Sequence, residues 1–235
     1  VERQGPGSDA NTLQALSFID NLSEDAQIAD LGCGTGAQTM TLAQHVSGHI
    51  TAIDLFPEFI RILNQNARKL GLQDQITGLT ASMDQLPFEA ASLDLIWSEG
   101  AIYNIGFEKG LRYWRDFLKP GGTIAVSEAS YFTANRTAEI EDFWMEAYPG
   151  IDTIPNKLKQ MQDAGYQPIA CFTIPENCWI NNFYEPQKAA QQQFLQKYPD
   201  NKTALNLVAN EKREATLYER YKSFYGYAFY IGKKN

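Results

Sequence analysis

The chain has 235 residues, 44% of them hydrophobic, which suffices to bury the core of one α/β domain with insertions. Its 20 basic residues against 28 acidic ones give a formal net charge of −8. A surface of that sign repels phosphate backbones, so DNA and bulk RNA are not expected partners. No run of about 18 apolar residues and no charged-then-apolar leader is present, which sets aside stable membrane insertion and predicts a cytoplasmic protein.

In chain order, Arg3 to Ser8 form a glycine-rich loop, read either as a flexible lead-in or as a flap over a ligand. Ser8 or Asp9 then caps a helix running to about Leu22, with Leu13, Leu16, Ile19 and Leu22 on its buried side. Since the sequence opens on Val1, further residues are expected ahead of it. The stretch 28–31 reads as a strand, the alternating Gly32, Gly34 and Gly36 as a tight turn, and 37–44 as a helix. Glycines here leave out the Cβ atoms that would hold a ligand off the backbone, and the helix offers its free N–H groups. Such a turn at the carboxyl end of a strand is a nucleotide site. Gly32, Gly34 and Ala37 also satisfy the dinucleotide pattern, so the turn alone leaves that ligand open. Asp30 speaks against it, because a carboxylate repels a pyrophosphate and suits a cation.

The next strand, His49 to Asp54, ends in an acid about 20 residues past the turn, where a carboxylate reaches the ribose hydroxyls of a bound nucleoside. Leu55 and Phe56 offer an apolar surface beside the base. Pro57 starts a helix whose Ile60, Leu63, Ala67 and Leu70 face the core, and Gly71 stops it. His45 and His49 lie away from the strand tips and are read as structural. Cys33, Cys171 and Cys178 have no metal-like spacing; they predict a reducing compartment and no metal site.

The series Asp30-x-Gly32-x-Gly34-x-Gly36 resembles the first motif of the class I S-adenosylmethionine-dependent methyltransferases, and the chain is similar to their small-molecule, quinone-biosynthesis type. The resemblance implies a Rossmann-like, doubly wound, mostly parallel seven-stranded sheet with an antiparallel last strand and helical lid insertions. It implies S-adenosylmethionine as cofactor and S-adenosylhomocysteine as product. After a strand near 75–80, Ser82 and the Met83 N–H are the expected readers of the adenine edge, although the family's acid falls two residues late, at Asp84. After strand 93–97, Ser98 and Glu99 are expected to face the sulfonium. The full cofactor set is Gly7, Ser8, Asp30, Gly32, Gly34, Gly36, Asp54, Leu55, Ser82, Met83, Ser98 and Glu99. A helix to about Leu118 and the turn Lys119-Pro120-Gly121-Gly122 lead into strand 123–127, which Glu128 closes.

Farther on, the pattern predicts a helix holding Phe143, Trp144 and Tyr148, a helix 155–164, a strand 167–173, a helical stretch 175–225, a last strand 227–231 and a solvated lysine tail. One domain is expected over 1–235, with a cofactor-binding core at 27–127 and lid or substrate-side insertions at 129–166 and 175–225. Methyl transfer from a sulfonium is an in-line displacement, so alignment and exclusion of water come first and no triad is required. A base is needed only where the acceptor loses a proton. Glu99, Tyr103 and Glu128 are the candidate catalytic groups. Tyr103, Tyr131, Trp144, Trp179 and Tyr184 suit a flat or apolar small-molecule acceptor, or a cationic amine held against ring faces. Oligomeric state stays open, a homodimer included. Two other readings remain: a subunit that binds the cofactor without transferring its methyl, and an NAD-type oxidoreductase, for which no hydride-site residue stands near a strand tip.

Overall fold

The computed structural model describes residues 3–20 and 22–235. The predicted reading of Val1 and the position 21 part of the first helix therefore lie outside the described residues. The elements run α1 (Asp9–Leu16), β1 (Gln27–Leu31), α2 (Ala37–Ala43), β2 (His49–Asp54), α3 (Pro57–Leu70), β3 (Ile76–Thr80) and β4 (Leu93–Glu99). A short 3-10 turn (Ile102–Asn104) follows, then α4 (Phe107–Arg115), β5 (Leu118–Tyr131), α5 (Ala138–Ala147), β6 (Asp152–Thr153), α6 (Ile154–Asp163) and β7 (Tyr166–Thr173). The second insertion comprises α7 (Asn177–Trp179), a π turn (Ile180–Tyr184), α8 (Glu185–Lys197) and α9 (Lys202–Tyr221), and β8 (Tyr225–Lys234) closes the chain. No described helix is long and apolar enough to cross a membrane.

The sheet runs β3-β2-β1-β4-β5-β8-β7, with β6 added beside β5. Strands β1 to β5 pair in parallel, and β8 lies antiparallel to both β5 and β7. Because successive side chains of a strand point to opposite faces, the sheet divides its core in two. Ile28, Leu95 and Trp97 enter one cluster, whereas Ala29, Ile96 and Ile124 enter the other. This is why β1 and β4 read as nearly continuous apolar runs. Strand order reverses between β1 and β4, so the loops after them diverge and leave a crevice.

Four expectations are corrected here. The sheet has eight strands among the described residues, because the two-residue β6 pairs with the end of β5. Helix α1 begins as predicted, with the Ser8 side chain accepting from the Asn11 N–H, but stops at Leu16. The Ser17 hydroxyl donates to the Gln14 carbonyl at 2.6 Å and turns the chain away. Glu128 does not close β5, which continues to Tyr131 because β8 pairs with it from Thr123 to Tyr131. Lys234 is not a solvated tail: its ammonium donates to the Arg115 and Leu118 carbonyls at 2.7 and 2.6 Å, beyond the end of α4.

Candidate active site

At the end of β1 the chain reverses tightly. Gly32 and Cys33 both donate their N–H groups to the Ile53 carbonyl, at 2.8 and 3.0 Å. Gly32 has φ +74, and a Cβ there would stand 2.3 Å from that of Ala101, so the residue must be glycine on both counts. Asp54, at the tip of β2, accepts from the Gly34 N–H at 2.9 Å and from the Phe56 N–H at 3.0 Å. One carboxylate thus fixes the glycine turn and the entry to α3 together. Each of its oxygens has further acceptor capacity for a ligand's hydroxyls.

A cavity of about 520 Å³ opens beside this turn. Gly32, Gly34, Asp54, Leu55, Ser82, Met83, Glu99 and Tyr103 line it, together with Phe56, Phe59 and Asp84. Leu55 and Phe56 are 60% and 58% exposed, forming an apolar ledge that a planar base would cover. The Ser82 hydroxyl donates to Asp84 at 2.6 Å, so the acid that stands two residues late in sequence returns to the serine's side in space. The N-terminal loop also lines the cavity, through Arg3, Gln4, Gly5 and Pro6. Gly7 and Ser8 do not line it, because Gly7 packs on Arg3 and Glu99 while Ser8 caps α1.

Other predicted ligands serve the scaffold. Asp30 is fully buried, accepting from the Thr39 hydroxyl at 2.6 Å and the Gln38 amide at 3.4 Å, which ties β1 to α2. Burial, opposed by these hydrogen bonds and aided by the charges of Glu99 and Asp54, raises its pKa to about 7. It does not line the cavity, so the expected direct attraction for a cationic ligand is replaced by structural support. Gly36 also faces inward, against Leu63, and Ser98 is buried with its hydroxyl on the Leu31 carbonyl at 2.8 Å.

The catalytic candidates separate as well. Glu99 does line the cavity, but its carboxylate accepts from the Thr12 hydroxyl at 2.6 Å, the Trp97 indole at 3.0 Å and the Arg3 guanidinium at 3.1 Å. Those bonds make it a fastener between the N-terminal segment and β4. Tyr103, on the 3-10 turn, is 42% exposed at the cavity wall. Burial raises its pKa, so the phenol stays protonated at neutral pH and suits orientation of an acceptor. Glu128 is buried away from the cavity, paired with Lys157 at 3.2 Å, and its second oxygen has no hydrogen-bond partner. Tyr131, Trp144, Trp179 and Tyr184 likewise do not line the cavity and belong to the aromatic core beneath the insertions. Their rings are buried because α5, α7 and α9 fold back onto β8, a long-range contact that helical periodicity does not reveal.

Sequence reasoning missed Arg3 and Thr12 as partners of Glu99, Lys157 as the counter-ion of Glu128, and Glu214 on α9 as the acceptor of the Tyr184 hydroxyl. None of them sits in a local pattern. A buried acid at a strand end requires a cation or donors, and that requirement was the only available signal.

The glycine turn, the acid after β2 and the crevice at the strand-order reversal define a Rossmann-like, nucleotide-binding α/β fold. Residues 28–122 match the family described as a methyltransferase domain. The chain is similar to the ribosomal protein arginine N-methyltransferase rmt3 of Schizosaccharomyces pombe, 31% identical over 63% of this chain and 28% of that one. It is also similar to the dimethylglycine N-methyltransferase of Parasynechococcus marenigrum, 33% identical over 52% of this chain and 44% of that one. It thus spans less than half the length of these curated relatives. Among solved structures, a methyltransferase from Geobacter sulfurreducens in complex with S-adenosylhomocysteine superposes with a TM-score of 0.82 at 18% identity, covering 100% of this chain and 94% of that one. The [4+2]-cyclase SpnF superposes with a TM-score of 0.77 at 22% identity, covering 96% and 81%.

Proposed function

We propose that this protein is a cytoplasmic enzyme that transfers a methyl group from S-adenosylmethionine to a small-molecule acceptor. The observation that carries the reading is the cavity itself, in which a glycine turn, the Asp54 carboxylate and the Ser82–Met83 edge converge within one crevice. The cradle fits the cofactor, because the glycine turn leaves the backbone at Gly32 and Gly34 open along the cavity. In this reading Asp54 holds the ribose hydroxyls, Ser82 and Met83 the adenine edge, and Leu55 and Phe56 the base's face, and all five line the cavity. When bound, the cofactor supplies an electrophilic methyl on a sulfonium. The protein's own work is to seat the acceptor in line and keep water out. Arg3 to Pro6, held down through Glu99 and Asp9, cover the cavity, and Tyr103 orients what enters. The names of relatives that act on dimethylglycine and on erythromycin support a small acceptor, and the acidic net charge supports one other than nucleic acid.

Calorimetric titration with S-adenosylmethionine, S-adenosylhomocysteine and NAD, followed by turnover of methyl-labelled cofactor across acceptor classes, tests this. Binding of the first two with label transfer is expected. Binding of NAD in their place would overturn it. Binding without transfer to any acceptor would favour the second reading, use of the fold without methylation, to which the likeness to a cyclase lends support.

A further inference from the structure

The segment 3–7 forms a strap along the cofactor cavity, which Arg3, Gln4, Gly5 and Pro6 line. It lies directly on the glycine turn, since a Cβ at Gly34 would stand 3.1 Å from the Gln4 side chain. Just beyond the strap the chain is pinned. Asp9 accepts from the Thr41 hydroxyl of α2 at 2.9 Å, and the Cys178 thiol donates to the Asn11 side chain at 2.9 Å. Helix α1 is therefore a fixed base. The strap is packed more loosely, since a Cβ at Gly5 would meet nothing within 4 Å, and Gly5 and Gly7 on either side of Pro6 supply pivots.

Two side chains from distant parts of the sequence reach the strap. Glu99 holds Arg3 at its start, as described above. At its other end the Asn182 side-chain amide donates to the Gly7 carbonyl at 2.9 Å, from 175 residues away. Asn182 is half-buried and stands in the π turn Ile180–Tyr184, a rare form met mostly as a single turn at functional sites.

That turn is fixed at both ends. Trp179, immediately before it, is buried and stacks on Tyr218 of α9 at 4.4 Å. Tyr184, its last residue, is buried and donates its hydroxyl to Glu214 of α9 at 3.0 Å. Asn182 thus projects from a rigid post, and its bond restrains the strap rather than the turn. Arg3 ties the strap to the sheet, whereas Asn182 ties it to the second insertion.

We propose that Asn182 is a positioning residue, which latches the strap beside the bound cofactor through the Gly7 carbonyl and so sets how long the cofactor stays in its cavity. The proposal rests on the methyltransferase reading and adds to it the element that retains the cofactor. Asn182 does not line the cavity, so its effect passes through the strap. A latch raises the barrier to passage in both directions, so its loss speeds dissociation and does not slow association.

The test is surface plasmon resonance of S-adenosylhomocysteine on the full chain, giving both rates for the wild type, Asn182→Ala, Asn182→Asp and Gln191→Ala, with thermal melting as the folding check. Asn182→Asp keeps the shape and removes the donor, because a carboxylate only accepts, as does the carbonyl it faces. Gln191→Ala loosens the insertion without touching the strap, since the Gln191 amide donates to Glu211 at 2.9 Å and joins α8 to α9. Both Asn182 variants are expected to release the ligand about two- to tenfold faster, the effect of one lost hydrogen bond, and to bind it no more slowly. Gln191→Ala is expected to release it at the wild-type rate. A wild-type release rate from folded Asn182→Asp overturns the latch and leaves the bond a merely structural one. Release from Gln191→Ala as fast as from the Asn182 variants overturns it too. Failure of the wild type to bind S-adenosylhomocysteine overturns the methyltransferase reading, and the latch with it.

Discussion

The Arg3–Glu99 pair offers a direct test of how the N-terminal segment is held over the cavity. The two side chains are only 10% and 5% exposed and meet at 3.1 Å, so solvent screens the pair weakly. Breaking such a pair from one side leaves a buried charge and costs about 3–5 kcal/mol in a fully enclosed setting. Here Arg3 retains Asp9, which is 74% exposed, and Glu99 retains Thr12 and Trp97, so the expected loss is smaller, about 2–3 kcal/mol for either Arg3→Met or Glu99→Gln. In a chain of this size that lowers the melting temperature by roughly 4–12 °C. The double variant should lose little more than either single one, giving a coupling energy of about 1.5 kcal/mol or more. Urea unfolding of all four proteins measures it. Both single variants should also bind S-adenosylhomocysteine more weakly, since Gln4 to Pro6 line the cavity between the anchor and α1. Losses that add within about 0.5 kcal/mol would refute the reasoning, because independent sites add and a fastened pair does not.

Three further outcomes are expected. Asp54→Ala should weaken S-adenosylhomocysteine at least about 100-fold by calorimetry, because it removes the ribose acceptor and releases the Gly34 and Phe56 N–H groups that shape the turn; a loss under about threefold would place the ribose elsewhere. Burial raises the folded-state pKa of Asp30 from 3.8 to about 7, so between those values the native state holds a proton that the unfolded chain has lost. Its contribution is therefore most favourable below about pH 4 and declines as pH rises to about 7. Asp30→Asn should flatten that part of the stability profile and exceed the wild type in melting temperature at pH 8; an unchanged profile would show that the carboxyl is not shifted. Lys157→Met strands the Glu128 carboxylate, both groups being at most 1% exposed, and should cost about 3–5 kcal/mol in urea unfolding, whereas adding Glu128→Leu should recover most of it. A single-variant loss under about 1 kcal/mol would mean that the pair is not formed in solution.

Local chemistry made much of this molecule legible from its sequence. The glycine spacing, the acids ending β1 and β2, the apolar runs and the helix periodicity are short-range facts, and they specified the Rossmann-like core and the position of its ligand crevice. They also placed Asp54, Leu55, Ser82, Met83, Glu99 and Tyr103 beside that crevice, because a residue at the tip of a parallel strand has few other directions to face. What the sequence could not decide was the partner of each charge and the facing of each ring. Asp30 turns inward because Thr39 and Gln38 of α2 meet it there, and Glu99 is spent on Arg3, 96 residues away. Trp179, Tyr218 and Tyr227 come from α7, α9 and β8, and only the folding of the insertion onto β8 brings their rings together. Periodicity shows that a side chain is buried but not against what. Long-range pairing is settled by tertiary packing, and that packing separates the acids that fasten the fold from those that face the crevice.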